Sequence, residues 1–268
     1  MRSGTVRAMP SDLACIDGTI LPETEARIPV SDHGLVRGDG VFEVIRVYDG
    51  RPFGLDYHLE RMQRSAQGLR LPLDIDAFRG DVAAMLARRG PGDELLRLLA
   101  TRGGRRIVTF ESVPDSPATF ALGRVTYAPS RILDNIKSLS YAANMLAWRL
   151  AQERGFDDAL LVTPHERVLE CSTSSFFAVA GGVLRTPPLS EHILDSITRR
   201  VVLAVADVRE EPISLTDLEQ IDEAFVVSSV REVVAVNRIE ERELEAPGPL
   251  TQEVAELVRQ HIESATRR

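Results

Sequence analysis

Lysine is almost absent from this chain: there is one, Lys137, against a combined 32 lysines and arginines. Cysteine is nearly as scarce, and Cys15 and Cys171 lie far apart with no CxxC spacing. That excludes a disulfide scaffold and a paired-thiol metal or redox site, and it fits reduced thiols in a cytoplasmic protein. The five histidines (His33, His58, His165, His192 and His261) form neither HExxH nor a Cys/His pair, so no zinc centre is expected. No window stays apolar for the eighteen or so residues of a membrane helix. The opening stretch MRSGTVRAMPSDL has no apolar segment of the kind a secretory signal needs. Positive charge is outweighed, with a net charge of −8, which leaves no electrostatic case for nucleic acid or an anionic membrane as partner. What is present is ordinary: 268 residues, 44% hydrophobic and 27% charged, enough for one large domain or two modest ones.

Two halves can be read from periodicity. Val41–Phe53 (VFEVIRVYDGRPF) is a β-branched run, an Asp-Gly turn and a second short strand, which predicts a hairpin. From Leu55 to Leu71 the apolar residues Leu59, Met62, Ala66 and Leu69 recur at helical spacing. A second helix is expected over Phe78–Arg89, and strands over Leu95–Ala100 and Arg106–Phe110. The Pro-rich segment SVPDSP around residues 114–118 reads as a linker. It divides an N-terminal subdomain (1–113) from a C-terminal one (119–268). In the second half, strands are expected at 119–128, 159–162, 176–180, 183–185, 224–227 and 233–236. Helices are expected at 141–154, from about 196, and at 251–264. Strands and helices mix without βαβ regularity, so the class expected is α+β with two subdomains.

Arginine covers most surface roles of lysine, but its guanidinium stays protonated and cannot form an imine. A GC-rich genome accounts for the general drift to arginine, not for the single exception. Lys137, just before a helix, is therefore a candidate Schiff-base residue. Glu170, in RVLECSTSSFF, is flanked by apolar residues, and a shielded carboxylate needs a positive partner. An arginine would serve, as would the protonated ring nitrogen of a pyridoxal cofactor. HILDSITRR (His192–Arg200) has the form of a helix start, where the N–H groups of Ile197 and Thr198 can bind phosphate. Arg61 is either a solvated helix residue or a phosphate anchor. RGDGVFE is glycine-rich but precedes a strand, which argues against a dinucleotide fingerprint or P-loop and for a tight turn.

Seven segments in order, DHGLVRGDGVFEVIRVYDGRPF, HLERMQRSA, KSLSYAANMLA, DDALLVTPHERVLECSTSSFF, LRTPPL, HILDSITR and EAFVVSSVREVVAV, resemble the fold-type IV family of pyridoxal-phosphate enzymes. That family holds branched-chain and D-amino acid aminotransferases, (R)-selective amine transaminases and aminodeoxychorismate lyases. The resemblance implies a pyridoxal 5′-phosphate cofactor bound as a Schiff base to Lys137, with Glu170 on its ring nitrogen. It places Arg61, the Ile197 and Thr198 amides and Ser229 at its phosphate, and Tyr141 at its phenolic oxygen. Ser196 stands where relatives usually have glycine, and Ser175 where they have asparagine; both put a hydroxyl near the cofactor. The pocket strand Phe42-Glu43-Val44-Ile45-Arg46 is similar to that of D-amino acid aminotransferases, which puts Phe42 and Val44 at the substrate. Carboxylate-reading candidates are Arg37, Arg46, Arg105 and Arg106.

The resemblance implies transamination from an amino acid to a 2-oxo acid, with a D-amino acid first and a branched-chain L-amino acid second. Aminodeoxychorismate lyase is the alternative, and a non-catalytic scaffold relative the remote one. The family also implies a homodimer, with each site near the interface and completed by a partner loop.

Overall fold

Two Asp-Gly pairs set the hairpins of the first half. In the computed structural model, which describes residues 13–267, β1 (Leu13–Ile16) turns through Asp17-Gly18 into β2 (Thr19–Pro22). After a short helix α1 (His33–Arg37), β3 (Gly40–Tyr48) turns through Asp49-Gly50 into β4 (Arg51–Pro52). All four turn residues have positive φ, the geometry that matches a two-residue loop to strand twist. Helices α2 (Leu55–Gly68) and α3 (Ile75–Arg89) follow, then β5 (Glu94–Thr101) and β6 (Arg106–Glu111). The six strands form an antiparallel sheet in the order β2-β1-β6-β5-β3-β4. Leu59, Met62 and Ala66 of α2 and Phe78, Val82 and Met85 of α3 bury themselves against Val41, Ile45, Leu96, Leu98 and Val108 of this sheet. The second helix begins three residues before the expected Phe78, because Asp74 caps it by accepting the Ala77 N–H at 3.0 Å.

Residues 112–118 hold no regular element and lead into β7 (Thr119–Thr126). The second half continues with α4 (Ala142–Glu153), β8 (Asp158–Val162), β9 (Arg167–Cys171), β10 (Ser175–Ala180) and β11 (Val183–Thr186). It closes with α5 (Ile197–Val205), β12 (Arg209–Glu210), β13 (Ile213–Ser214), α6 (Leu215–Leu218), β14 (Glu223–Ser228), β15 (Glu232–Ile239), β16 (Arg242–Glu243) and α7 (Pro249–Thr266). These strands make one mixed sheet, β12-β11-β10-β14-β15-β7-β8-β9-β13, with β16 paired to β15. Alternation along β10 decides its two faces: Phe176 joins one core with Leu122, Leu160 and Val226, and Phe177 joins another under α5 and α7 with Phe225, Val202 and Val258. The mixed arrangement is the α+β class expected. Among the described residues, no helix is long and apolar enough to cross a membrane.

The two sheets meet at one point that matters. The segment before α4 lies along the start of β3, with Leu139 N–H donating to the Gly40 carbonyl at 2.8 Å and Phe42 N–H to the Lys137 carbonyl at 3.1 Å. Gly40 makes this approach possible, since a Cβ there would lie 2.6 Å from Leu139 Cδ1, and 2.3 Å from the Ala100 carbonyl oxygen of β5. Gly38, at φ 67°, ends α1 in the left-handed cap. The glycines of RGDGVFE thus close a helix and open a strand.

Candidate active site

Lys137 is fixed by its backbone from both sides. Its carbonyl accepts from Phe42, and its N–H donates to the Ser65 hydroxyl of α2 at 3.1 Å. The amine lies 4.3 Å from the Phe42 ring centroid and 5.5 Å from that of Tyr141. It projects into a cavity of about 680 Å³ between the two sheets. Burial, reinforced by the Arg61 charge, lowers its pKa to about 8, against the opposing pull of Glu43 and Glu170.

Two carboxylates approach this amine and Arg61. Glu170, on β9, lines the cavity, and one of its oxygens accepts the Leu194 N–H at 3.2 Å. Burial pushes its pKa up to about 7, only partly offset by that N–H and by the Lys137 charge. Glu43, on β3, is fully buried and holds a different set of partners. It takes Arg61 in a bidentate pair at 2.8 and 2.6 Å and His58 Nδ1 at 2.8 Å. Burial alone would raise its pKa, but Arg61 and His58 together bring it down to about 2. His58, also fully buried, is lowered by desolvation.

Arg61 has five N–H donors. Two go to Glu43 and one to the Asp195 carbonyl at 3.0 Å, so the guanidinium keeps donors for a ligand. Beside it α5 begins. The Ser196 hydroxyl accepts from the Arg199 N–H at 3.3 Å, and the Ile197 and Thr198 N–H groups have no protein acceptor among the described residues. A nine-residue helix start with free amides, an arginine and the nearby Ser229 hydroxyl forms a cradle for a dianion. Tyr141 donates its hydroxyl to the Ser172 carbonyl at 2.9 Å; burial and then Glu170 push its pKa up. The Ser175 hydroxyl is buried in the cavity wall without a partner.

Of the residues named from sequence, Phe42, Val44, Arg61, Lys137, Tyr141, Glu170, Ser175, Ser196 and Ser229 line this one cavity, and Ile197 and Thr198 follow Ser196 directly. The four carboxylate-reading arginines do not line it. Arg105 pairs with Asp17 and Arg106 with Asp81, both within the first sheet and its helix α3. Arg37 ends α1 on the exposed surface. Arg46 is farther along the face of β3 that presents Phe42 and Val44, and stacks 5.1 Å from the Tyr48 ring centroid. The cavity instead holds Arg97 and Arg231, which sequence reading passed over. Arg97 is alternate to Leu96 and Leu98 on β5, and that alternation could have found it. Arg231 lies in the SSVREV segment that was read for its serine. Glu43 was also read only as part of a strand; a charged residue within VFEVI was the signal for its buried role.

A family model, "Amino-transferase class IV", matches residues 40–239. The chain is 34% identical to a putative branched-chain-amino-acid aminotransferase of Methanocaldococcus jannaschii, over 85% of this chain and 88% of that one. It is 29% identical to a D-alanine aminotransferase of Staphylococcus haemolyticus, over 93% and 97%. Among solved structures, a hypothetical aminotransferase of Mycobacterium tuberculosis in its PLP-bound form superposes with a TM-score of 0.86 at 27% identity, covering 94% of this chain and 99% of that one. The fold is that of the fold-type IV transaminases, and the protein is an enzyme. The chain belongs to the class IV aminotransferase family.

Proposed function

We propose that this enzyme uses pyridoxal 5′-phosphate to move an amino group from an amino acid to a 2-oxo acid. A D-amino acid is the first donor to test and a branched-chain L-amino acid the second, in keeping with the names of the two relatives. The observation that carries the reading is Lys137, an amine without a salt-bridge partner among the described residues, in one cavity with Glu170 and the Arg61–α5 cradle. The fit to the cofactor is chemical. The cradle offers N–H donors to a phosphate, and Glu170 offers a carboxyl with spare acceptor capacity to a ring nitrogen. When bound, the cofactor supplies an electrophilic carbon and a protonated ring that accepts the electron pair left by a departing Cα proton.

The chain's own residues do the rest. Lys137, with its pKa near 8, has a usable neutral fraction at neutral pH, so its Nζ can act as nucleophile and can take or return a proton. Glu170 holds a ring N–H in place, and with its pKa near 7 it gains most from a cationic partner. Arg61, the Ile197 and Thr198 amides, and the Ser229 hydroxyl hold the phosphate. Tyr141, Ser175 and Ser196 border the ring side, and Phe42 and Val44 form the substrate wall beside Lys137. The lyase alternative draws no support from the relatives compared above, each described as an aminotransferase.

The assembly we propose is a cytoplasmic homodimer built from subdomains 1–113 and 119–268. Exposed Leu35 and Val36 of α1, and Ile132, support it as surface for a second copy. Arg37 and Arg105 would meet a substrate across that interface.

The test is a half-reaction. Single amino donors are added to the holoenzyme and the visible cofactor band is followed. Bleaching by D-alanine, D-glutamate or L-leucine is the expected result and names the donor class. A band that no amino acid moves would overturn the transaminase reading, as would a protein that takes up no cofactor.

A further inference from the structure

The cavity wall carries five basic side chains, and all but two of them are matched by an acid. Arg61 is held by Glu43, Arg97 by Glu111 (a second bond at 2.8 Å) and His192 by Asp134. Lys137 is the reactive amine of the proposed function. The remaining one is Arg231, whose guanidinium has no hydrogen bond and no salt bridge among the described residues. Its Nε is buried with no acceptor. The group stacks 5.6 Å from the centroid of the Phe120 ring, an arrangement that orients its plane while leaving the donors on its edge free. The carboxylate that feels its charge, Asp158, is already held by the Ser172 hydroxyl and the Ala159 N–H. The neighbouring Glu232 is taken by Arg259 and Tyr48.

Arg231 is also well placed by its backbone. It sits in the turn from β14 to β15, two residues past Ser229, with its N–H donating to the Ser228 hydroxyl at 3.2 Å. The terminal N–H groups of Arg231 are likewise without an acceptor among the described residues, and the side chain lines the cavity, where a bound anion would meet them in charge-assisted hydrogen bonds. The phosphate position already has its own donors in Arg61 and α5, which leaves the substrate.

We propose that Arg231 is the carboxylate receptor of this active site and so determines its specificity for carboxylate-bearing amines. The proposal rests on the transaminase reading above. Two carboxylates share this chemistry: the one on the reacting carbon, and the distal one of an acidic side chain.

Calorimetric titration of the holoenzyme with two unreactive acids, propanoate and glutarate, tests it. Wild type, Arg231→Gln and Arg231→Lys are compared. Arg231→Gln is expected to weaken binding by about tenfold to a hundredfold, and Arg231→Lys to restore part of that loss. Equal weakening for both acids assigns Arg231 to the carboxylate on the reacting carbon. Loss for glutarate alone assigns it to the distal one. Unchanged affinities would overturn the proposal, as would a wild type that binds neither acid. So would weaker cofactor retention with acid binding unaltered, since that would make Arg231 a phosphate ligand. A wild-type protein that forms no visible cofactor band would instead refute the transaminase reading, so the two failures are told apart.

Discussion

Glu43 and Glu170 come from opposite sheets and both act electrostatically on Arg61 and Lys137, yet they end in opposite states. Glu43 comes from the first sheet and is surrounded by donors: two from Arg61 and one from His58. Glu170 comes from the second sheet and has a single backbone N–H. Burial disfavours the charge on both, yet one is held near pKa 2 and the other rises to about 7. The adjacent Arg61 charge, and then the hydrogen bonds from Arg61 and His58, separate them, not depth. The carboxylate whose hydrogen bonds are complete anchors the site, and the one left short of donors is available to a ligand.

Removing each acid in turn breaks this comparison in opposite directions. Glu43→Gln leaves the buried Arg61 charge without its bidentate partner, so the protein should lose about 3–5 kcal/mol of stability by urea titration. The same change should weaken cofactor retention, because Arg61 loses its orientation. Acid titration sharpens the point. The ordinary carboxyl value is 4.5 and the folded one about 2, so the unfolded chain takes up this proton first as pH falls. Stability contributed by Glu43 is therefore present above about pH 4.5 and lost as pH falls toward 2. The Glu43→Gln variant should lack that part of the acid transition.

Glu170→Gln should do the reverse. Its folded value lies above the ordinary one, so between 4.5 and about 7 the folded protein binds a proton that the unfolded chain does not. Stability is thus lost as pH rises through that window. At pH 8 the cofactor-free variant should be more stable than the wild type by about 1–3 kcal/mol. Its transamination rate should nevertheless fall by about a hundredfold or more. A variant no more stable at pH 8 would mean that Glu170 is better solvated than its surroundings indicate.

A smaller effect concerns Lys137. The rate at which the cofactor-free protein takes up pyridoxal phosphate should rise about tenfold per pH unit below pH 8 and level off above it, following the neutral amine. A rise that continues past pH 10 would place the amine in an ordinary solvated setting.

These contrasts explain what could be read from sequence. The hairpin at 41–53 and helix α2 announce themselves through local alternation and helical spacing, and Lys137 through being the one lysine, just before α4; its seat between β3 and α2 is set by the fold. The first hairpin was missed although its Asp17-Gly18 carries the same signal as Asp49-Gly50. Strand β9 was missed because RVLEC was read for its acid and not its alternation. The partners of Arg105 and Arg106 lie at Asp17 and Asp81, 88 and 25 residues away. No local pattern distinguishes such an arginine from one that meets a substrate. The contrast between Glu43 and Glu170 was out of reach for the same reason, since it depends on donors that only the fold assembles.

The central claim is that Lys137 is the amine that bonds the cofactor, and the composition of the chain makes it unusually direct to test. The holoenzyme is reduced with borohydride and its intact mass measured, beside Lys137→Ala treated in the same way. With one lysine in the chain, a single pyridoxyl addition to the wild type and none to the variant is the result expected. No addition to the wild type, or the same addition to Lys137→Ala, would contradict the account.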